Sequence, residues 1–213
     1  MDQIERAHRG KKKVRSVGID VGLKNLLTLS SGLCINHHPS LPRLKHNLRV
    51  WISKLEGQQA GSKRWFETVR IIDKTKRQIE QCQQDHANKI AASLVRHYKI
   101  ICIEGPINGG TITPEVESDI YIANWDQLRR TIKKKCQETG VLYIEVSPFY
   151  TTQTCSRCQN RQKMPLGERQ YRCPACGLVL DRDCNAAINI RRKGLEKLER
   201  QRKAQEKVGF PPF

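Results

Sequence analysis

Short β-branched, apolar runs alternate along this chain with long stretches in which apolar residues recur at helical spacing. Residues 14–21 read Val-Arg-Ser-Val-Gly-Ile-Asp-Val, which predicts a central strand. Turn chemistry at Gly22–Asn25 and Ser31-Gly32 sets off two more short strands, 26–30 and 33–35, completing a meander. Pro39 and Pro42 then break the pattern. Leu44, Leu48, Trp51 and Leu55 predict a helix over 44–56. A longer one over 62–98 is marked by Trp65, Val69, Ile72, Ile79, Cys82, Ile90, Leu94 and Tyr98. The pair reads as a helical hairpin, 43–99, returning the chain to the sheet.

The run Ile100–Ile103 is wholly apolar and ends in Glu104, with a glycine-rich loop behind it. A helix is expected over 115–138, facing inward through Ile120, Trp125, Leu128, Ile132 and Cys136 and capped by Gly140. Another strand follows at 141–146, stopped by Pro148. Asp181 opens a last helix, and 195–213 reads as a charged tail with a disordered end. Residues 1–13 form a basic arm. Hairpin-linked strands followed by strands reached through helical crossovers imply an α/β fold with a mixed sheet.

Charge narrows the function. The chain of 213 residues carries a net charge of +18, an excess that repels itself unless a polyanion relieves it, and nucleic acid is the natural polyanion. Apolar residues make up 38% and aromatic residues 6%, so Leu, Ile and Val must carry a thin core. No long uncharged apolar run predicts a membrane span, and the first apolar stretch is broken by Arg15, Asp20 and Lys24, unlike a signal peptide. Nine cysteines, four of them in two Cys-x-x-Cys pairs, suit metal binding in a reducing, intracellular and cytoplasmic setting rather than a secreted disulfide framework.

Two constellations carry chemistry. Cys155-Ser-Arg-Cys158 and Cys173-Pro-Ala-Cys176 are knuckles fourteen residues apart, a spacing suited to one structural, tetrahedral Zn2+ in a ribbon over 150–180. The remaining cysteines, 34, 82, 102, 136 and 184, read as small core residues. The other constellation is acidic. Asp20 lies inside an apolar strand, Glu104 ends another, and Asp181 and Asp183 flank Arg182 at the start of the last helix. If the two strands are neighbours the carboxylates converge, and their repulsion calls for Mg2+ or Mn2+, two such ions being able to activate water against a phosphodiester. Taken alone, Asp183 also fits an N-cap, Glu104 a solvent-facing strand end, and Asp20 a turn.

At this point the residues resemble the C-terminal half of TnpB, the transposon-encoded nucleases related to compact type V CRISPR effectors. The matching motifs are Gly18-Ile-Asp20-Val-Gly22-Leu-Lys-Asn25, Ile103-Glu104, Tyr150-Thr-Thr-Gln-Thr-Cys155-Ser-Arg-Cys158, Cys173-Pro-Ala-Cys176-Gly177 and Asp181-Arg-Asp183-Cys-Asn185-Ala-Ala. The resemblance implies an RNase H-like, RuvC-type nuclease domain split into 14–149 and 181–194 by the ribbon. It also implies that Asp20, Glu104 and Asp183 hold the catalytic metals, with Asp181 in support. Two departures are Gly105-Pro106-Ile107 after the second acid and Gln159 where the family usually has glycine after the first knuckle. Only the short basic arm precedes the first strand, so RNA guidance is expected to need a separate guide-binding chain or to be lost.

The expected function is therefore metal-dependent endonuclease action on single-stranded or opened DNA. The alternative is an idle relative that binds DNA or RNA without cutting. Lys24, Lys63, Arg64, Arg157, Arg161, Arg172 and Arg182 are the candidate nucleic-acid contacts, against the plainer reading of solvated charged faces.

Overall fold

The computed structural model describes residues 14–106, 125–165 and 167–207. The meander forms as expected, with β1 (Val14–Val21), β2 (Leu27–Leu29) and β3 (Cys34–Ile35) pairing antiparallel. A helical hairpin follows, α1 (Leu41–Glu56) and α2 (Lys63–His97). Pro42 does not stop α1 but sits in its first turn, where a missing N–H costs nothing. Ser62 caps α2, its hydroxyl accepting from the Trp65 N–H at 3.2 Å.

The chain returns in β4 (Tyr98–Glu104), which claims Tyr98 and Lys99 from the expected hairpin and pairs in parallel with β1. Helix α3 (Trp125–Thr139) and strand β5 (Leu142–Val146) complete the second crossover, and β5 pairs in parallel with β4. The stretch 115–124 of the expected helix, the basic arm and the last six residues lie outside the described residues. Gly140 ends α3 in the left-handed conformation, φ +67°, while the Val141 N–H reaches back to the Cys136 carbonyl at 3.0 Å.

The five strands lie in the order β3-β2-β1-β4-β5, a mixed sheet, and the ribbon adds a small hairpin of β6 (Gln170–Arg172) and β7 (Val179–Asp181). Strand periodicity sorts the core into two layers. Val17, Ile19, Val21, Ile101 and Ile103 face α2 and α3, meeting Ile90, Leu94, Leu128 and Ile132. Ile100, Cys102, Ile144 and Val146 face the other way, onto Ile190 of α4 (Arg182–Lys207). Cys102, Cys136 and Cys184 are core residues as expected, whereas Cys34 and Cys82 are only half-buried.

Helix α4 corrects one expectation: the charged segment beyond 194 is not a tail but continues the helix to Lys207. Leu195 and Leu198 pack against the second core layer and hold this extension to the sheet. Glycine allows the close approach. A Cβ on Gly18 would lie 2.0 Å from the Ala187 carbonyl oxygen, and one on Gly194 would lie 2.3 Å from Cys102 Sγ.

Candidate functional site

Asp20 and Glu104 share the face of the sheet that α4 covers. They stand in step with Gly18 and Cys102, whose close neighbours are Ala187 and Gly194 of that helix. Ile19 registers with Ile103, so the two acids occupy adjoining ends of parallel strands. The Val21 N–H donates to Glu104 Oε1 at 3.4 Å, binding the second acid to the first strand. The α4 N-terminus supplies the third acid. Asp181 is the N-cap: its Oδ1 accepts from the N–H groups of Asp183 at 2.9 Å and Cys184 at 3.0 Å. Asp183 is thereby free of the capping duty that its position also suited.

Electrostatics shows that the carboxylates sense one another. Asp20 is only 6% exposed. Burial, then the nearby Glu104 and Asp183, push its pKa well above the usual carboxylate range. Burial likewise raises Glu104 to about 7, against the Val21 N–H and the Arg129 guanidinium, which favour its charged form. Asp183 is raised by burial and by Asp181, while Arg169, Arg182 and Lys24 oppose the shift. Among the described residues, only the four knuckle cysteines form a group of three or more such ligand atoms all within 4.8 Å of one another. The three carboxylates are neighbours that do not approach one another so closely.

The four thiols are assembled. Cys155 Sγ lies 3.6 Å from Cys176 Sγ, and Cys158 Sγ lies 3.5 Å from Cys173 Sγ. A tetrahedral zinc with bonds of about 2.3 Å needs sulfur–sulfur edges of about 3.8 Å, so the residues fit a closed four-thiolate site. Their protons are unevenly held. Cys158 is pushed up to about 12: the Asn160 N–H pulls it down, but burial and the other thiols prevail. Cys173 falls to about 7, burial being outweighed by the N–H groups of Cys176 and Ala175. A cation would let all four ionise together. Gln159 stands at φ +70° after the first knuckle, as Gly177 stands at φ +71° after the second. This position therefore asks for the glycine it lacks.

Asn185, which the sequence motif includes without a role, and Asn189, which pattern reading overlooked, tie ribbon to helix. Asn185 accepts from the Ser156 N–H at 2.9 Å and donates to the Thr154 carbonyl at 2.8 Å. Asn189 donates to the carbonyls of Thr151 and Thr154 at 2.8 and 2.6 Å. Both asparagines are wholly buried. Their spacing of four along a helix was the available signal, since it puts two amides on one face. Arg129 was also overlooked. It is 9% exposed, its charge acts on Glu104, and it had been hidden among the inward apolar residues of α3.

The basic candidates divide. Lys24 is exposed on the loop after β1 and acts on Asp183. Arg169 reaches from the ribbon to within 3.8 Å of Asp183 Oδ2. Arg182 donates to the carbonyls of Pro165 and Glu168, which commits its Nη1 to holding the ribbon loop. Arg157, Arg161 and Arg172 are exposed on the ribbon. Lys63 and Arg64 start α2, roughly 50 Å of helix from the sheet at 1.5 Å per residue, and are not brought to the acids.

A mixed α/β sheet with clustered acids at the ends of its inner strands and a four-thiol ribbon defines the class. A family model described as "Probable transposase" (OrfB_IS605) matches residues 2–108, and one described as "Cas12f1-like, TNB domain" matches 125–190. The chain belongs to the TnpB (OrfB) family. It is 29% identical over 183 residues to the "Putative RNA-guided DNA endonuclease" of Streptomyces pristinaespiralis, covering 84% of this chain and 45% of that one. With the "CRISPR-associated endodeoxyribonuclease Cas12f1" of Sulfoacidibacillus thermotolerans it shares 31% identity over 137 residues, 59% of this chain and 32% of that one. The chain thus spans less than half the length of these curated relatives. Its fold is similar to a chain in the cryo-EM structure of a Cas12f1-sgRNA-target DNA complex, with a TM-score of 0.57, 20% identity, and coverage of 82% of this chain and 49% of that one. Among the described residues no helix is long and apolar enough to cross a membrane.

Proposed function

We propose that this chain carries the metal-dependent DNA endonuclease site of a TnpB-type nuclease, on an RNase H-like, RuvC-type domain. The observation that carries the reading is the convergence of Asp20, Glu104 and Asp183 from β1, β4 and the start of α4, each shifted toward its protonated form by burial and by like charge. A cluster whose carboxyls are all shifted toward protonation calls for a cation to restore their charge, and hard oxygen ligands suit Mg2+ or Mn2+. With two such ions bound, the site would activate water and stabilise the oxygen leaving phosphorus. The three carboxylates would hold the ions, Asp181 caps α4 and so frees Asp183, and Lys24 and Arg169 bring positive charge to Asp183.

The four cysteines hold one structural Zn2+, which fixes the ribbon and, through Asn185 and Asn189, the helix that carries Asp183. The solved structure of similar fold is a Cas12f1 complex with sgRNA and target DNA. By likeness, and by the charge of +18, this protein acts on single-stranded or opened DNA with a guide RNA, whose binding draws on a part or partner beyond the described residues. Its setting is the reducing cytoplasm.

The test is Mn2+ binding and cleavage of a labelled single strand by the zinc-loaded protein and by its Asp20→Asn variant. Ion binding and cutting that both depend on Asp20 are expected. Equal cutting by the variant, or ion binding indifferent to it, rejects the site. Asp20-dependent ion binding without any cutting would favour the non-cutting nucleic-acid binder.

A further inference from the structure

Between β5 and the first knuckle the chain displays two adjacent aromatic rings that the fold does not use. Phe149 is 61% exposed and Tyr150 50%, in a chain with few aromatic residues. Their ring centroids lie 6.4 Å apart. The backbone that presents them is held in an unusual shape, with Tyr150 at φ +64°, in the left-handed region disfavoured for any residue with a side chain. Such a conformation persists only where the surroundings over-determine it. Here they do: Tyr150's carbonyl accepts from the N–H groups of Gln153 and Thr154, and Lys193 of α4 donates to the Phe149 carbonyl at 2.6 Å. The Thr151 carbonyl is in turn held by Asn189. Arg161 lies 4.1 Å over the Tyr150 ring, adding a cation beside a π-face.

The position matters as much as the exposure. Val146 registers with Glu104, and Phe149 stands three residues beyond it, at most about 11 Å of extended chain. Asp20, Glu104 and the rings therefore flank the ends of the parallel strands, and Lys193 of α4 fastens the backbone that carries the rings. A base has a π-face whatever its identity, and aromatic side chains beside cations are how single strands are held without reading sequence.

We propose that Phe149 and Tyr150 form a stacking shelf for an unpaired nucleobase of a single strand, with Arg161 as its cationic flank. The shelf holds the strand beside the acids and favours an unpaired strand over a duplex, whose bases already stack on each other. This rests on the nucleic-acid reading above.

The experiment uses the zinc-loaded chain in an Asp20→Asn background, so that no strand is consumed, and a single-stranded oligonucleotide carrying 2-aminopurine. Expected are quenching on binding, and loss of that quenching with affinity weakened on the order of tenfold per ring in Phe149→Ala and Tyr150→Ala. Tyr150→Phe, which keeps the ring, should retain both. Unchanged quenching and affinity in the double alanine variant would overturn the shelf, as would equal quenching by a blunt duplex. Ring-dependent quenching in a protein whose Asp20 form never cuts would uphold the shelf and reject the nuclease reading. Asp20-dependent cutting without ring-dependent quenching would do the reverse.

Discussion

At the scale of single residues, the chemistry of this protein lies in how its carboxyl groups hold protons. Burial pushes Glu104 up to about 7 from an ordinary 4.5, so between those values the folded state binds more protons than the unfolded one. Stability therefore falls as pH rises through that window and levels off above it. Asp20, raised in the same direction, adds to the loss. We predict that the melting temperature of the zinc-loaded, Mg2+-free protein declines from pH 4.5 to above 7, and that Asp20→Asn flattens the decline and raises melting at pH 8. Mn2+ should stabilise the unmodified protein at pH 8 but not the variant. A flat melting profile, or equal stabilisation of both by Mn2+, would count against the cluster. The acids themselves were legible in the sequence because charged residues in apolar strands stand out. Which of Asp181 and Asp183 caps the helix was not, because both stand at its start and only the placed backbone N–H groups distinguish them.

Among elements, the decisive contact is α4 against β1. Ala186 and Ala187 are fully buried there, and Gly18 gives the helix backbone its room. Gly18→Ala should cost about 3 kcal/mol or more, since the added carbon meets a backbone carbonyl rather than a yielding side chain, and overpacking a tight contact is expensive. Denaturant unfolding measures this, and a cost below 1 kcal/mol would show that the helix can shift. Strands and helices were legible wherever an apolar rhythm ran unbroken, as in Ile100–Ile103 and along α2. Residues 195–207 were misread because Leu195 and Leu198 are isolated among charges, and two contacts with the sheet become visible only once the sheet exists.

At the scale of the molecule, buried hydrogen bonds join the ribbon to the helix that carries Asp183. Removing zinc should not stop at the ribbon. Asn185 and Asn189 would lose the carbonyls and N–H that they hold, and the start of α4 would loosen with Asp183 on it. Cys158→Ser, or chelation, should therefore weaken Mn2+ binding at the acids as well as releasing zinc, although no cysteine touches them. Titrating Mn2+ into zinc-free protein checks this, and undiminished affinity would show the ribbon to be a passive insert. The architecture was readable from the cysteine spacing and the alternation of elements. This coupling was not, because it runs through buried amides with no charge or sulfur to draw notice.

The order in which the site's parts occur along the chain has a consequence for its biosynthesis. Asp20 comes with the first strand and Asp183 with the last helix, so the nascent chain holds two of the three acids long before it holds the third. Until α4 leaves the ribosome, β1 and β4 lack the surface that covers Gly18 and Cys102, and that face of the sheet is open to chaperones. A product broken off before Asp181 would keep all five strands of the main sheet and yet be unarmed. The acidic cluster closes only when the helix that carries Asp183 has been made.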